Sequence, residues 1–425
     1  MNEWTRRDAM KAGLAAAAGV VVTPAFASRL TRSGDDKIRV GVIGCGGRGT
    51  GAAWNALEAD PAVTIVAMAD LFGDRLEGSY NHLNGEEAWK GRIDVPPERR
   101  FTGFDAYKRV LALDDVRYVC LATPPHFRSI QFAEAVARGK HVFMEKPVAT
   151  DPAGIRRVIA AAKAADERQL SVVAGTQRRH QDNYLALMER IQGGAIGEPV
   201  SARCFWNQGG LWVHERKDEY TDMEWQVRNW LYFCWLSGDH ICEQHVHNLD
   251  AVNWVMGAHP VKCVGMGGRQ VRTEPKYGNI FDHFAIDYEY PSGAHLMSMC
   301  RQTDGCQSTV AEFVQGTKGR STSWHGYSKI EGAQTWETHG KANPYVTEHQ
   351  VLIASIRGEG ERLNEAERVA ESTLTAIMGR MSAYTGQEVT WEQAMNSKLD
   401  LAPAAYEMGS LETDPVPTPG RTKLI

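Results

Sequence analysis

The run Ile38-Arg39-Val40-Gly41-Val42-Ile43-Gly44-Cys45-Gly46-Gly47-Arg48-Gly49 decides the fold. Its first half is short, apolar and β-branched, which reads as a buried strand. The strand opens directly into a G-x-G-x-x-G, and a helical stretch follows through Ala52, Trp54, Ala56 and Leu57. Gly44 allows the tight turn, Gly46 lets the backbone approach a pyrophosphate, and Gly49 lets helix and strand pack closely. Gly47 and Arg48 lie in the same loop, where amides at the helix start hold phosphates.

Downstream, a second apolar strand over Val63 to Ala69 ends at Asp70. That is about 20 residues beyond the last glycine, where an acid meets the adenosine ribose hydroxyls. A carboxylate there repels a 2′-phosphate, so NAD is expected in preference to NADP. A third strand, Val116 to Ala122, ends in Thr123-Pro124-Pro125-His126, and a helix runs on to Gly139. His141 to Met144 follows as a strand and ends in Glu145-Lys146-Pro147. A helix over Asp151 to Asp166 and a strand over Leu170 to Ala174 complete a doubly wound α/β pattern. Ligands of such sheets bind beyond the carboxyl ends of the strands. Thr123, Pro124, His126, Glu145 and Lys146 fall on that edge. Residues 37–175 are thus expected to form a Rossmann domain with a parallel sheet.

From Thr176 the pattern changes. Strands are expected over Val200 to Trp206, Val261 to Gln270, His283 to Tyr290, Ala294 to Cys300 and Thr309 to Gly316. Helices are expected over Asp182 to Gln192 and Leu249 to Val255, and again over Glu348 to Arg357 and Glu365 to Tyr384, where the chain can return to the first domain. Residues 176–425 read as an α+β domain with a mostly antiparallel open sheet.

Upstream, Thr5-Arg6-Arg7-Asp8 precedes an apolar run from Ala12 to Val22 and then Ala25-Phe26-Ala27. A charged start, a short apolar core and a small-x-small site mark a signal peptide over 1–27, with a linker over 28–36. The arginine pair resembles a twin-arginine signal. It implies the twin-arginine translocase as a partner and a periplasmic destination. That route moves folded proteins, so a cofactor would travel with the chain and is expected to be tightly held.

The chain has 425 residues, a formal net charge of -5 and a pI near 6.3. Without a basic field, nucleic acid is not an expected partner. The eight cysteines form no C-x-x-C pair, and most read as small buried apolar residues.

The Gly44–Gly49 loop, Thr123-Pro124 and Glu145-Lys146-Pro147 are joined by Glu243-Gln244-His245-Val246-His247-Asn248-Leu249-Asp250, with Trp254 and Gly257 behind it. Together these motifs resemble the glucose–fructose oxidoreductase / inositol dehydrogenase family (Gfo/Idh/MocA). The later segment is similar to the family's acid-x-x-x-His motif and the D-x-x-x-W-x-x-G helix that follows it. The first position, often Asp in the sugar and inositol dehydrogenases, is Glu243 here. The resemblance implies a sugar or polyol substrate, and a second-domain sheet that forms one wall of the site and often an oligomer interface.

Oxidising a secondary alcohol requires a proton acceptor and a cation for the developing alkoxide. His247 and Lys146 suit those roles. On a helix, Glu243 shares a face with His247 and can orient the substrate or the imidazole; Asp250 and Trp254 continue the stripe. His245 and His247 would point about 200° apart on a helix, so a shared metal ion is not expected. The aromatic stretch containing Phe205, Trp206, Trp212, Trp225, Trp230, Tyr232, Phe233 and Trp235 suits the apolar faces of a sugar ring. It equally suits a covered sheet face or an interface. Trp206, Asp250, Arg178 and His180 are the substrate candidates.

Three functions fit: an NAD(P)-dependent dehydrogenase, an NAD-dependent glycoside hydrolase or lyase that oxidises its sugar transiently, and a non-catalytic NAD-binding sensor. Lys146 and His247 argue against the sensor.

Overall fold

The computed structural model describes residues 37–425; the signal peptide and linker expected over 1–36 lie outside the described residues. Residues 38–425 form one compact unit. Six strands, β1 (Ile38–Ile43), β2 (Val63–Asp70), β3 (Arg100–Thr102), β4 (Tyr118–Leu121), β5 (His141–Met144) and β6 (Val172–Ala174), form a sheet in the order β3-β2-β1-β4-β5-β6. Every pairing in it is parallel. The strands are buried along nearly their whole length, as expected of a parallel sheet covered by helices on both faces. The order reverses between β1 and β4, which puts the switch point at the Gly44 loop and Thr123-Pro124.

Nine strands form the second sheet: β7 (Pro199–Gln208), β8 (Lys262–Gly268), β9 (His283–Glu289), β10 (His295–Gln302), β11 (Thr309–Gly316), β12 (Gly319–Trp324), β13 (Tyr327–Gly332), β14 (Trp336–His339) and β15 (Val389–Thr390). Their order is β14-β13-β12-β11-β7-β10-β9-β8-β15, antiparallel except where β7 meets β10. Burial alternates strictly along β9, and nearly so along β10. The inner face packs on the long helix Ala366–Thr385, while Val264, Met266, Met297 and Met299 face outward. Strands β12 to β14 were not expected from the sequence. Their inward residues Ser321, Ser323 and Ser328 are small and polar, so no apolar alternation marks them.

The C-terminal part does return to the first sheet. Helix Pro344–Arg357 packs on helix Gly47–Ala59, and Asn364 bridges to Val172 of β6. Of the eight cysteines, seven are buried and Cys306 is exposed; none forms a disulfide. Burial pushes the thiols of Cys120 and Cys242 up to about 12, so they behave as apolar packing groups.

Candidate active site

The Gly44 loop has the geometry its residues foretell. Gly44 has φ +94°, and a Cβ at Gly49 would meet the carbonyl oxygen of Gly44 at 1.7 Å. At Gly46 and Gly47 an added Cβ would meet nothing within 4 Å, so that side of the loop is open. Helix Gly47–Ala59 starts there with no side-chain cap and no acidic residue in its first turn. Its first amides therefore remain available to an anion. A cleft of about 440 Å³ lies against this loop, lined by Gly44, Gly46, Arg48, Asp70, Thr123 and Pro124 among others. The open glycine cradle, the uncapped helix and the acid at the end of β2 fit a dinucleotide.

Asp70 accepts hydrogen bonds from the amides of Cys45 (2.6 Å) and Phe72 (2.9 Å). Burial pushes its carboxyl up, against the pull of those two amides. Arg48 pairs with Glu145, and its guanidinium lies 4.7 Å from the ring centre of Tyr345. Burial opposes the charge of Glu145, yet Arg48, Arg128 and Lys146 together hold its carboxyl below the ordinary value. The carboxylate fills the space over Gly175, where a Cβ would come within 2.6 Å of it.

Lys146 follows β5. Its ammonium donates to the backbone carbonyl of Glu243 (2.6 Å) and to the Glu243 carboxylate (3.2 Å), and the Lys146–Pro147 bond is cis. Arg128, a residue the sequence reading passed over, holds this corner together. Its guanidinium donates to the carbonyls of Thr123, Lys146 and Pro147 at 2.6–2.7 Å. The signal for it was an arginine on the buried face of helix Pro125–Ala137.

Glu243 and His247 do not share one continuous helix. Glu243 ends the short helix His240–Glu243, and a second helix, Val246–Met256, begins after a break at Gln244 and His245. Glu243 bonds Lys146 across the break, and the charge of Lys146 is the strongest acting on the His247 ring. The His247 ring stacks on Trp206, with centroids 5.6 Å apart and planes at 24°, and its buried Nδ1 has no protein partner. Burial drives the imidazole pKa well below 6.5, and the charges of Lys146, Arg178 and Arg48 drive it further down. The ring is therefore neutral at pH 7. His245 bonds Ser298 at 2.7 Å, so the two rings serve different partners. Among the described residues no group of three or more His, Cys, Asp or Glu could hold a metal ion.

The remaining candidates are tied to protein groups. Arg178 pairs with buried Glu312, which also accepts from Tyr184 (2.8 Å), Asn248 (2.6 Å) and Ser323 (3.0 Å). Asp250 accepts from Arg179 (2.8 and 3.0 Å), Arg368 (3.2 Å) and Ser372 (2.7 Å). Those arginines hold its carboxyl below the ordinary range despite burial. Its ligands are the turn after β6 and helix Ala366–Thr385, so it fastens elements together rather than facing the site. His180 approaches Glu365 at 3.5 Å. His126 lies outside the cleft lining. Its Nε2 meets the Tyr406 hydroxyl at 2.8 Å, its ring packs edge-on against Phe127 and Trp235, and burial lowers its pKa to about 4. Of the aromatic stretch, Trp206 joins His247. Trp225, Tyr232, Phe233 and Trp235 are core, and Trp212 and Trp230 line the cleft.

A glycine-cradled switch point in a parallel sheet, backed by a Lys–Glu pair from two layers, defines an NAD-binding oxidoreductase fold. Residues 38–173 match the oxidoreductase family with an NAD-binding Rossmann fold, and residues 184–322 match the GFO/IDH/MocA C-terminal domain. The two matches together span well over half the chain, which belongs to the Gfo/Idh/MocA family. An inositol 2-dehydrogenase of Rubrobacter xylanophilus is 26% identical over 62% of this chain and 64% of its own length. A myo-inositol 2-dehydrogenase of Thermotoga maritima is 26% identical over 67% of this chain and 74% of its own length. The chain thus matches somewhat less than two thirds of the first relative. The fold also matches an aldose–aldose oxidoreductase from Caulobacter crescentus, with a TM-score of 0.66 at 18% identity over 83% of this chain and 99% of that one.

Proposed function

We propose that the protein is an NAD-dependent dehydrogenase acting on a secondary alcohol of a sugar or polyol. The observation that carries this reading is the Lys146–Glu243 pair at the carboxyl end of β5, with the charge of Lys146 acting on the His247 ring that stacks on Trp206. Bound nicotinamide would take up the hydride. Lys146 steadies negative charge developing on the alcohol oxygen, and its bonds to Glu243 aim it. Neutral His247 accepts the hydroxyl proton. The indole of Trp206 offers an apolar face to a sugar ring. The inositol dehydrogenases among the relatives support a polyol substrate.

Asp70 at the end of β2 supports NAD over NADP. Arg6-Arg7 and the apolar run behind them support export to the periplasm by the twin-arginine translocase with the cofactor already held. The apolar residues on the outer face of the second sheet, with Met266 at 74% exposure, support a homo-oligomer.

The test is to incubate purified protein with NAD and a panel of inositols, aldoses and anhydrosugars, following absorbance at the NADH band. Stoichiometric NADH with a ketone product is expected. Cleavage of a glycoside with no net NADH would replace the reading with the hydrolase. Binding of NAD and sugar with neither outcome, and no solvent deuterium entering the sugar, would replace it with the sensor.

A further inference from the structure

The cleft has a wall that no sequence motif announces. Residues 209–230 leave the end of β7 and cross to the Rossmann side, and Trp212, His214, Val227, Arg228 and Trp230 line the same cavity as the glycine loop and Asp70. On its own side the segment is tied down firmly. The Gly210 amide donates to Asp304 (2.8 Å), the Asn229 side chain to the Lys276 carbonyl (2.7 Å), and the Tyr232 hydroxyl to the Trp212 carbonyl (2.9 Å). On the Rossmann side its contacts are more exposed. Arg228 grips Asp74 with two hydrogen bonds (3.0 and 3.1 Å), and its guanidinium lies 3.9 Å from the ring centre of Phe72. Arg75 meets His214 at 3.5 Å. Phe72, Asp74 and Arg75 directly follow Asp70, so these contacts fall at the adenosine end.

We propose that 209–230 is a strap that closes over the adenosine half of the bound dinucleotide, with Arg228 on Asp74 as its latch. This rests on the nucleotide-binding reading above. A two-pronged arginine–carboxylate grip fixes geometry as well as charge. Met223, Trp225 and Val227 seat the helical end of the strap in the core, so the latch opens by Asp74 parting from Arg228, and with Asp74 62% exposed the pair is screened enough to do so. Trp212 and Trp230, with ring centroids 5.9 Å apart, supply aromatic surface that suits an adenine base. Parting the Asp74 loop from this wall opens the adenosine end, so the latch acts on dissociation of the nucleotide.

The test measures release of NADH from the full mature chain by stopped-flow fluorescence, with excess NAD as chase. Arg228→Ala and Asp74→Asn should each raise the off-rate roughly tenfold, and the double variant should add little, because both break one contact. Arg228→Lys keeps the charge but loses the two-pronged grip, and should fall between. Raising the salt should speed release from the wild type but not from Asp74→Asn, a response that a purely structural role does not give. Asp74 is exposed, so its variant tests the latch even where Arg228→Ala fails to fold. Off-rates within twofold of wild type in Asp74→Asn and Arg228→Lys overturn the strap alone. A wild type that binds neither NADH nor NADPH overturns the strap and the dehydrogenase reading together.

Discussion

The ammonium of Lys146 lies 2.6 Å from the backbone carbonyl of Glu243 and 3.2 Å from its carboxylate, so the end of β5 is joined directly to the helical layer under the second sheet. The positive charge is thereby held at a fixed height over the carboxyl ends of the Rossmann strands. Removing it with Lys146→Met should lower kcat by roughly 10²–10⁴-fold while purified protein keeps its nucleotide content. His247→Ala should cost a similar factor. Because burial and three nearby cations hold the ring neutral well below pH 6.5, wild-type kcat/KM should stay level down through that pH. A fall centred near 6.5 would remove His247 as the base.

Glu312 should be a stability residue rather than a substrate residue. It is 3% exposed and neutralises Arg178 while accepting from Tyr184, Asn248 and Ser323. Glu312→Ala leaves a buried guanidinium without its counter-charge, which costs about 3–5 kcal/mol. Urea unfolding checks this; a loss below about 1 kcal/mol would mean Arg178 finds another partner.

The fold should weaken in mild acid. Burial lowers His126 and His141 to about 4, and His245 and His349 to about 3. Between the unfolded value near 6.5 and those values, the unfolded chain binds protons that the folded chain refuses. Stability therefore falls as the pH falls, by about 1.4 kcal/mol per pH unit for each such ring. Asp70, Glu348 and Glu371, raised by burial, act in the opposite sense, but they are three groups against six, since burial lowers His214 and His247 as well. Denaturant midpoints at pH 7, 6 and 5 should decline in that order; a flat or rising series contradicts the assignment.

Asp70→Ala should weaken NAD and narrow its advantage over NADP. Loss of a charge-assisted hydrogen bond costs about 1.5–3 kcal/mol, roughly ten- to a hundredfold in Kd. Titration of both nucleotides reads this directly, and a wild type that prefers NADP refutes it.

Replacing Arg6 and Arg7 together by Lys should leave the precursor in the cytoplasm, as read by cell fractionation. An unchanged periplasmic yield would rule out the twin-arginine route.

The Rossmann half was legible in the sequence because each of its parts is local. A β-branched run, three glycines at set spacing and an acid at the next strand end specify one turn geometry, and Gly44 and Gly49 adopt it. Lys146 and Thr123 were legible for the same reason, as strand-end positions on a sheet whose edge binds ligands. What the sequence could not determine is which polar groups find each other across the chain. Arg178, Asp250 and His126 carry the right chemistry for a pocket. Yet folding brings Glu312, Arg179 and Tyr406 to them from 71 to 280 residues away, and a buried charge or ring takes the nearest partner that satisfies it. The same holds for Glu243. Spacing put it on one face with His247, but the helix breaks at Gln244, and the carboxylate turns to Lys146 instead. Local spacing thus determined the cradle, whereas long-range pairing of buried charge decided which residues were left free to face a substrate.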